Sequence, residues 1–303
     1  MTAPTLDRPP AAEPPEPVAL PSGPVPPVRP ALSGGRRRVV QAGWAATLAA
    51  ALLLGFAGYL LALSGLQQQH FQSTAYKTFR DRLATAVAPT GPTADGEPVA
   101  VLDIPAIGLR QAVVVEGTSG RDLMRGPGHR RDSVLPGQRG ASVLFGRGAS
   151  FGAPFARLSE LRVGDRIEVT TGQGSFGYVV NAYGDGDHPI TDAAPARLIL
   201  VTGDSGWIPT GTVLIGARLD GEPQPAVGGR PAQLPADHAL AVDNGALAGL
   251  QLWALALLGA AAVTTVAVRR WHDRAAWLSL SPVLAALLWA VYENAAALLP
   301  NLY

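Results

Sequence analysis

The chain contains no cysteine. That excludes disulfides, thiolate metal sites and thiol nucleophiles together. Histidine is scarce too: five copies lie scattered, with no HxxxH or HExxH spacing that would suit zinc. Charged residues make up only 16% of the 303, against roughly 25% in an average soluble domain. With a net charge of +1 there is no basic field to draw nucleic acid, and there is no acidic tail. No cofactor, no metal and no nucleic-acid partner are expected. The shortage of charge is not spread evenly, because it comes from three long uncharged runs.

Residues 1–35 carry 11 prolines, among them Pro9-Pro10, Pro14-Pro15 and Pro26-Pro27, and few large apolar side chains. Such a segment cannot bury enough apolar surface to offset its ordering entropy, and it is expected to be disordered with polyproline II character. Arg36-Arg37-Arg38 then meets an uncharged run over 39–63. At about 1.5 Å per residue this run spans a hydrocarbon core of roughly 30 Å with some tilt. It is too long, and too deeply preceded by other sequence, for a cleaved signal peptide. The three arginines place the N-terminus in the cytoplasm and the following segment outside.

The stretch 64–98 is expected to be a stalk and linker, helical over Gln67 to Val87 and stopped by Pro89, Gly91 and Pro92. It reads as a spacer from the membrane. A second proline-containing linker covers 221–244. Two further membrane helices are expected over 245–268 and 275–299, separated by Arg269, Arg270 and Arg274, which belong inside. Glu293 is the one acid in the last span, and its closeness to Pro300 places it near the outer interface. The resulting topology is N-terminus in, central domain out at the cell membrane, and a hairpin returning through the bilayer.

The central block, 99–220, reads as all-β. Its anchor is Arg197-Leu-Ile-Leu-Val-Thr202, an apolar branched run that stops at Gly203, as a strand buried on both faces does. Around it lie short runs rich in Val, Ile and aromatics: 99–104, 111–115, 142–145, 166–170, 176–183 and 212–219. Gly and Pro punctuate them, which indicates a barrel or sandwich.

Several pieces of this block fall in a familiar order. They are Leu102-Asp-Ile-Pro105, Val113-Val-Val-Glu-Gly117, Leu123-Met-Arg-Gly-Pro-Gly128-His129, Leu135-Pro-Gly137, Phe155-Ala-Arg-Leu-Ser-Glu-Leu161-Arg-Val-Gly-Asp165, Tyr178-Val-Val and Leu198-Ile-Leu-Val-Thr202. The block resembles a sortase domain, the extracytoplasmic β-barrel transpeptidase of Gram-positive envelopes. The three spans resemble the actinobacterial, class E-like members. The resemblance implies a membrane-anchored sortase-like barrel with a His-Cys-Arg site, in which Cys attacks the Thr-Gly carbonyl of a sorting signal, His handles protons and Arg stabilises the oxyanion. The matching positions here are Arg147 for His, Gly203 for Cys and Thr212 for Arg. All three roles stand vacant. The expectation is a catalytically silent relative whose groove binds without cutting, with a sorting-signal peptide, an active sortase or a surface protein as candidate partners.

Two other readings compete. Gly203-Asp204-Ser205-Gly206 matches the nucleophile loop of trypsin-like proteases, so Ser205 is an alternative nucleophile, with Thr202 and Asp204 beside it and His129 or His188 as base. An ordinary Asp-Ser-Gly turn explains the same residues. His129 reads as a loop residue, and His188 as part of a solvated acidic turn. The last alternative is a purely structural membrane protein whose barrel is a spacer.

Overall fold

The structure is a computed structural model that describes residues 34–204, 208–270 and 273–303. The greater part of the proline-rich tail therefore lies outside the described residues. The chain divides into two units, Met1–Ala50 and Ala51–Tyr303. The first contributes the start of helix α1 (Gly34–Gly58), whose apolar side chains, Trp44 and Leu48 among them, are exposed. All that follows concerns the second unit.

Eight strands close a barrel in the order β1-β2-β3-β4-β7-β8-β6-β5. They are β1 (Pro98–Ile104), β2 (Leu109–Glu116), β3 (Gly128–His129), β4 (Gly140–Phe145), β5 (Arg166–Thr171), β6 (Gly174–Asp185), β7 (Ala196–Gly203) and β8 (Thr212–Leu219). The β1–β5 pairing closes the ring and leaves no free sheet edge. Every expected run became a strand. The two-residue β3 was not foreseen, since it is too short to show a period. β7 lies between β4, to which it is parallel, and β8, to which it is antiparallel.

Alternation sorts the side chains of these three strands. Leu144, Leu198, Leu200, Ile215 and Ala217 point into the main core with Leu102, Ile104, Val169 and Tyr178. The opposite face of β4 and β7 carries Val143, Phe145 and Val201, which form a second apolar cluster with Leu123 and Leu302. Burial on both faces is why β7 reads as an unbroken apolar run.

Helix α1 passes through a π-helical turn at Tyr59–Leu63 into α2 (Ser64–Ala84). The expected spacer is in fact docked on the barrel. Ala75 and Phe79 are buried against Val101 of β1 and Val113 of β2. Gln72 completes the joint: its Oε1 accepts from the Val113 N–H at 2.7 Å and its Nε2 donates to the Val113 carbonyl at 3.0 Å. One side-chain amide thus stands in for a neighbouring strand. The 221–244 segment is likewise laid on the barrel rather than loose, through main-chain bonds of Gln224 to Gly137 and Arg139 and a buried Asp237 paired with Arg131 at 2.7 Å.

Helices α4 (Ala246–Arg270) and α5 (Asp273–Ala297) follow, after the single turn α3 (Gly120–Leu123) between β2 and β3, and α4 packs on α5. Among the described residues, three stretches are long and apolar enough to cross a membrane: Arg37–Ala84, Ala246–Arg270 and Trp277–Ala297. Glu293 of α5 accepts a hydrogen bond from Gln67 of α2 at 3.2 Å.

Candidate functional site

Gly203 ends β7 and is the cross-strand partner of Thr212, the first residue of β8. Just before it, the buried Thr202 donates from Oγ1 to the Gly146 carbonyl at 2.9 Å, which ties the end of β7 to the exit of β4. Just after it, Asp204 organises the turn into β8. Its N–H donates to the Gly211 carbonyl at 3.0 Å, and its carboxylate accepts from the N–H groups of Thr210 at 3.1 Å and Gly211 at 3.0 Å. Asp204 is thus a clasp for the β7–β8 loop, as short acceptors in turns commonly are. Ser205 lies outside the described residues.

The space at Gly203 is filled from two sides. A Cβ built there would stand 2.6 Å from Pro209 Cβ and 3.4 Å from the Leu302 carbonyl oxygen. Any side chain, a cysteine included, requires the Pro209 loop to move first. Beside it runs a cavity of about 280 Å³ lined by Gly148, Phe155, Thr202, Gly203, Pro209 and Leu302, among others.

Arg147 follows the Gly146 exit of β4 and is fully buried. Its Nη2 donates to the Gly120 carbonyl at 2.8 Å, and its Nη1 to Ser150 Oγ at 3.1 Å and to the main-chain oxygen of Tyr303 at 3.4 Å. The guanidinium also lies 5.0 Å from the centre of the Phe151 ring, an attractive placement for a cation. Among the described residues no carboxylate pairs with it, and burial pushes the guanidinium down to about 9. Gly203 and Thr212 are therefore brought together, while the Arg147 side chain is spent on holding Gly120, Ser150 and Tyr303.

His129 is not a loop residue: it sits on β3 and is fully buried. Its Nδ1 lies 2.9 Å from Glu116 Oε2 and its Nε2 lies 3.1 Å from Ser133 Oγ, the outline of a Ser-His-Glu relay. The other hydrogen-bond partners of Ser133 and His129 argue against that use. Ser133 Oγ donates to the Arg130 carbonyl at 2.7 Å and accepts from the Val143 N–H at 3.1 Å, and the His129 Nε2 faces the Val134 carbonyl at 2.9 Å. A carbonyl can only accept, so Nε2 serves it as a donor and keeps no lone pair for a serine proton. The group is a structural knot. His188 is exposed and bonds Asp185 at 3.1 Å within its turn; hydrogen bonds from the His188 and Asp187 main chain hold the Asp185 carboxyl below its usual range.

Three residues at this site went unread in the sequence: Asn301, Leu302 and Tyr303. Leu302 is fully buried and Asn301 is as well. The sole signal was an apolar and aromatic ending to a segment already outside the last span.

A closed barrel in which parallel β4 and β7 present one face beside β8 is a sortase-type architecture. Residues 102–204 match the sortase domain family. Sortase D of Bacillus subtilis is 35% identical over 85 residues, which are 28% of this chain; the match covers 41% of that relative's length. Among solved structures, sortase E from Streptomyces avermitilis is 29% identical, with a TM-score of 0.38 over 43% of this chain and 93% of its own. A Clostridium perfringens sortase D5 transpeptidase is 20% identical, with a TM-score of 0.41 over 50% of this chain and 99% of its own.

Proposed function

We propose that this protein is a membrane-held, catalytically silent sortase domain with a binding or scaffolding role at the cell envelope. The barrel stands outside the cell membrane and the N-terminus inside it, as the arginines at 36–38 and 269–274 direct. The observation that carries the reading is the enclosure of Gly203. At the place where the family resemblance asks for a thiol, the protein has a residue with no side chain, and Pro209 occupies the room that a side chain would need. Arg147 and Thr212 at the other two positions supply neither a base nor an oxyanion cation aimed at Gly203. Sorting-signal peptides, an active sortase and surface proteins are the partners this site suits.

The test is covalent capture. The full-length protein in detergent is incubated with a Thr-Gly sorting-signal peptide and, separately, with a fluorophosphonate probe. Mass spectrometry is expected to show uncleaved peptide and no adduct. Labelling that disappears in Ser205→Ala would overturn the silent reading and establish a serine enzyme.

A further inference from the structure

The residues that follow helix α5 lie on the face of the barrel that bears Gly203. Asn301 donates its N–H to the Ala241 carbonyl at 3.0 Å, and its side-chain amide donates to the carbonyls of Thr118 at 2.8 Å and His238 at 2.9 Å. The Leu302 carbonyl accepts from the Gly148 N–H at 3.0 Å, and its side chain packs among Leu123, Val143, Phe145 and Val201. The main-chain oxygen of Tyr303 accepts from Ser150 at 2.8 Å and from Arg147. The Tyr303 N–H donates to the Pro300 carbonyl at 3.0 Å, so 300–303 is a turn, and the barrel holds it by main-chain bonds, one buried amide side chain and one buried aliphatic anchor.

We propose that 300–303 is an occupant in cis of a peptide site on the β4–β7–β8 face, and that the site receives another turn-forming segment of the same chemistry only when this one leaves. The inference deepens the binding role proposed above and rests on it. Three observations carry it. The anchor is seated on the alternate side chains of β4 and β7, the same face to which Gly203 belongs. Ser150 donates its hydroxyl, and the buried Arg147 one Nη1 bond, to the occupant's main chain, which any peptide would offer equally. Beyond Leu302 and Tyr303 the cavity beside Gly203 and Pro209 is still open, so the occupant does not fill the groove. The ligand class that follows is a turn-forming peptide with an amide residue followed by an aliphatic one, seated with its main chain against Gly148 and Ser150.

The chain has no cysteine, so a single introduced thiol reports on the site cleanly. Full-length Leu302→Cys in nanodiscs is treated with a maleimide, with and without a synthetic peptide of sequence 297–303. Slow labelling that the peptide accelerates at least tenfold is expected. The same peptide, carrying a fluorophore, is expected to bind Leu302→Asp at least tenfold more tightly than it binds the unaltered protein. A labelling rate that the peptide leaves unchanged up to millimolar concentration overturns the proposal and makes the segment a fixed brace. So does failure of the peptide to bind Leu302→Asp whose circular dichroism and melting show a folded barrel. Neither result touches the covalent test of catalytic silence, so the two ideas fail separately.

Discussion

Gly203 shows how little a side-chain inventory says about a position until its surroundings are known. Replacing it with alanine or cysteine drives a Cβ into Pro209 at 2.6 Å. Overpacking of this kind costs about 1–3 kcal/mol, so Gly203→Ala is expected to lower the melting temperature by several degrees. Gly203→Cys is expected to melt early in the same way and to form no thioester with a Thr-Gly peptide. A thioester detected by mass spectrometry would refute this. At the barrel's other end, Asp192 gathers Asn181 of β6 at 2.8 Å and Arg218 of β8 at 2.7 Å. The Arg218 hydrogen bond, then those from the Ala194 main chain and Asn181, hold its carboxyl well below the usual range. A carboxyl lowered by folding adds stability that is fully present above its unfolded value of about 3.9 and is lost as pH falls below it. The melting advantage of the unaltered protein over Asp192→Asn is therefore expected to be constant from about pH 5 to 7 and to shrink toward about pH 2. A difference that stays flat through the acid range would remove Asp192 from this role.

At the scale of elements, α2 depends on a bond that few helices make. Gln72 pairs with both main-chain groups of Val113. Leucine in its place leaves a strand N–H and a carbonyl unmet, at about 1–3 kcal/mol. Gln72→Leu is expected to destabilise the barrel accordingly and to speed hydrogen exchange at the Val113 amide. Normal protection there would show the joint to be held by the apolar contacts of Ala75 and Phe79. The strands of the barrel were legible in the sequence because alternation and Gly or Pro stops are local properties. The docking of α2 was not, because its polar Gln-rich face carries no period that distinguishes a packed helix from a solvated one. His129 was misplaced for a related reason. A histidine after Gly-Pro-Gly looks like turn text, and its burial is set by Glu116, 13 residues away, and by Val134. That no thiol is present could be read off at once, since cysteine is absent altogether. The crowding at Gly203 could not, because Pro209 and Leu302 reach it through a loop and from the segment after α5.

At the scale of the whole molecule, the proposed orientation is open to the same thiol chemistry. Ser175 is exposed on the barrel, and Thr5 belongs to the tail. In intact cells, an impermeant maleimide is expected to label Ser175→Cys and to spare Thr5→Cys until the membrane is breached. The opposite pattern would invert the topology. The segment 300–303 is joined to helix α5 by only two residues, Leu298 and Leu299. An occupant on so short a tether acts at an effective concentration on the order of millimolar. A soluble competitor must therefore exceed that concentration or bind far more tightly. A neighbour confined to the same bilayer is itself concentrated against the barrel and meets the tether on more equal terms. The tether thus acts as a filter, favouring membrane-bound ligands over dissolved ones.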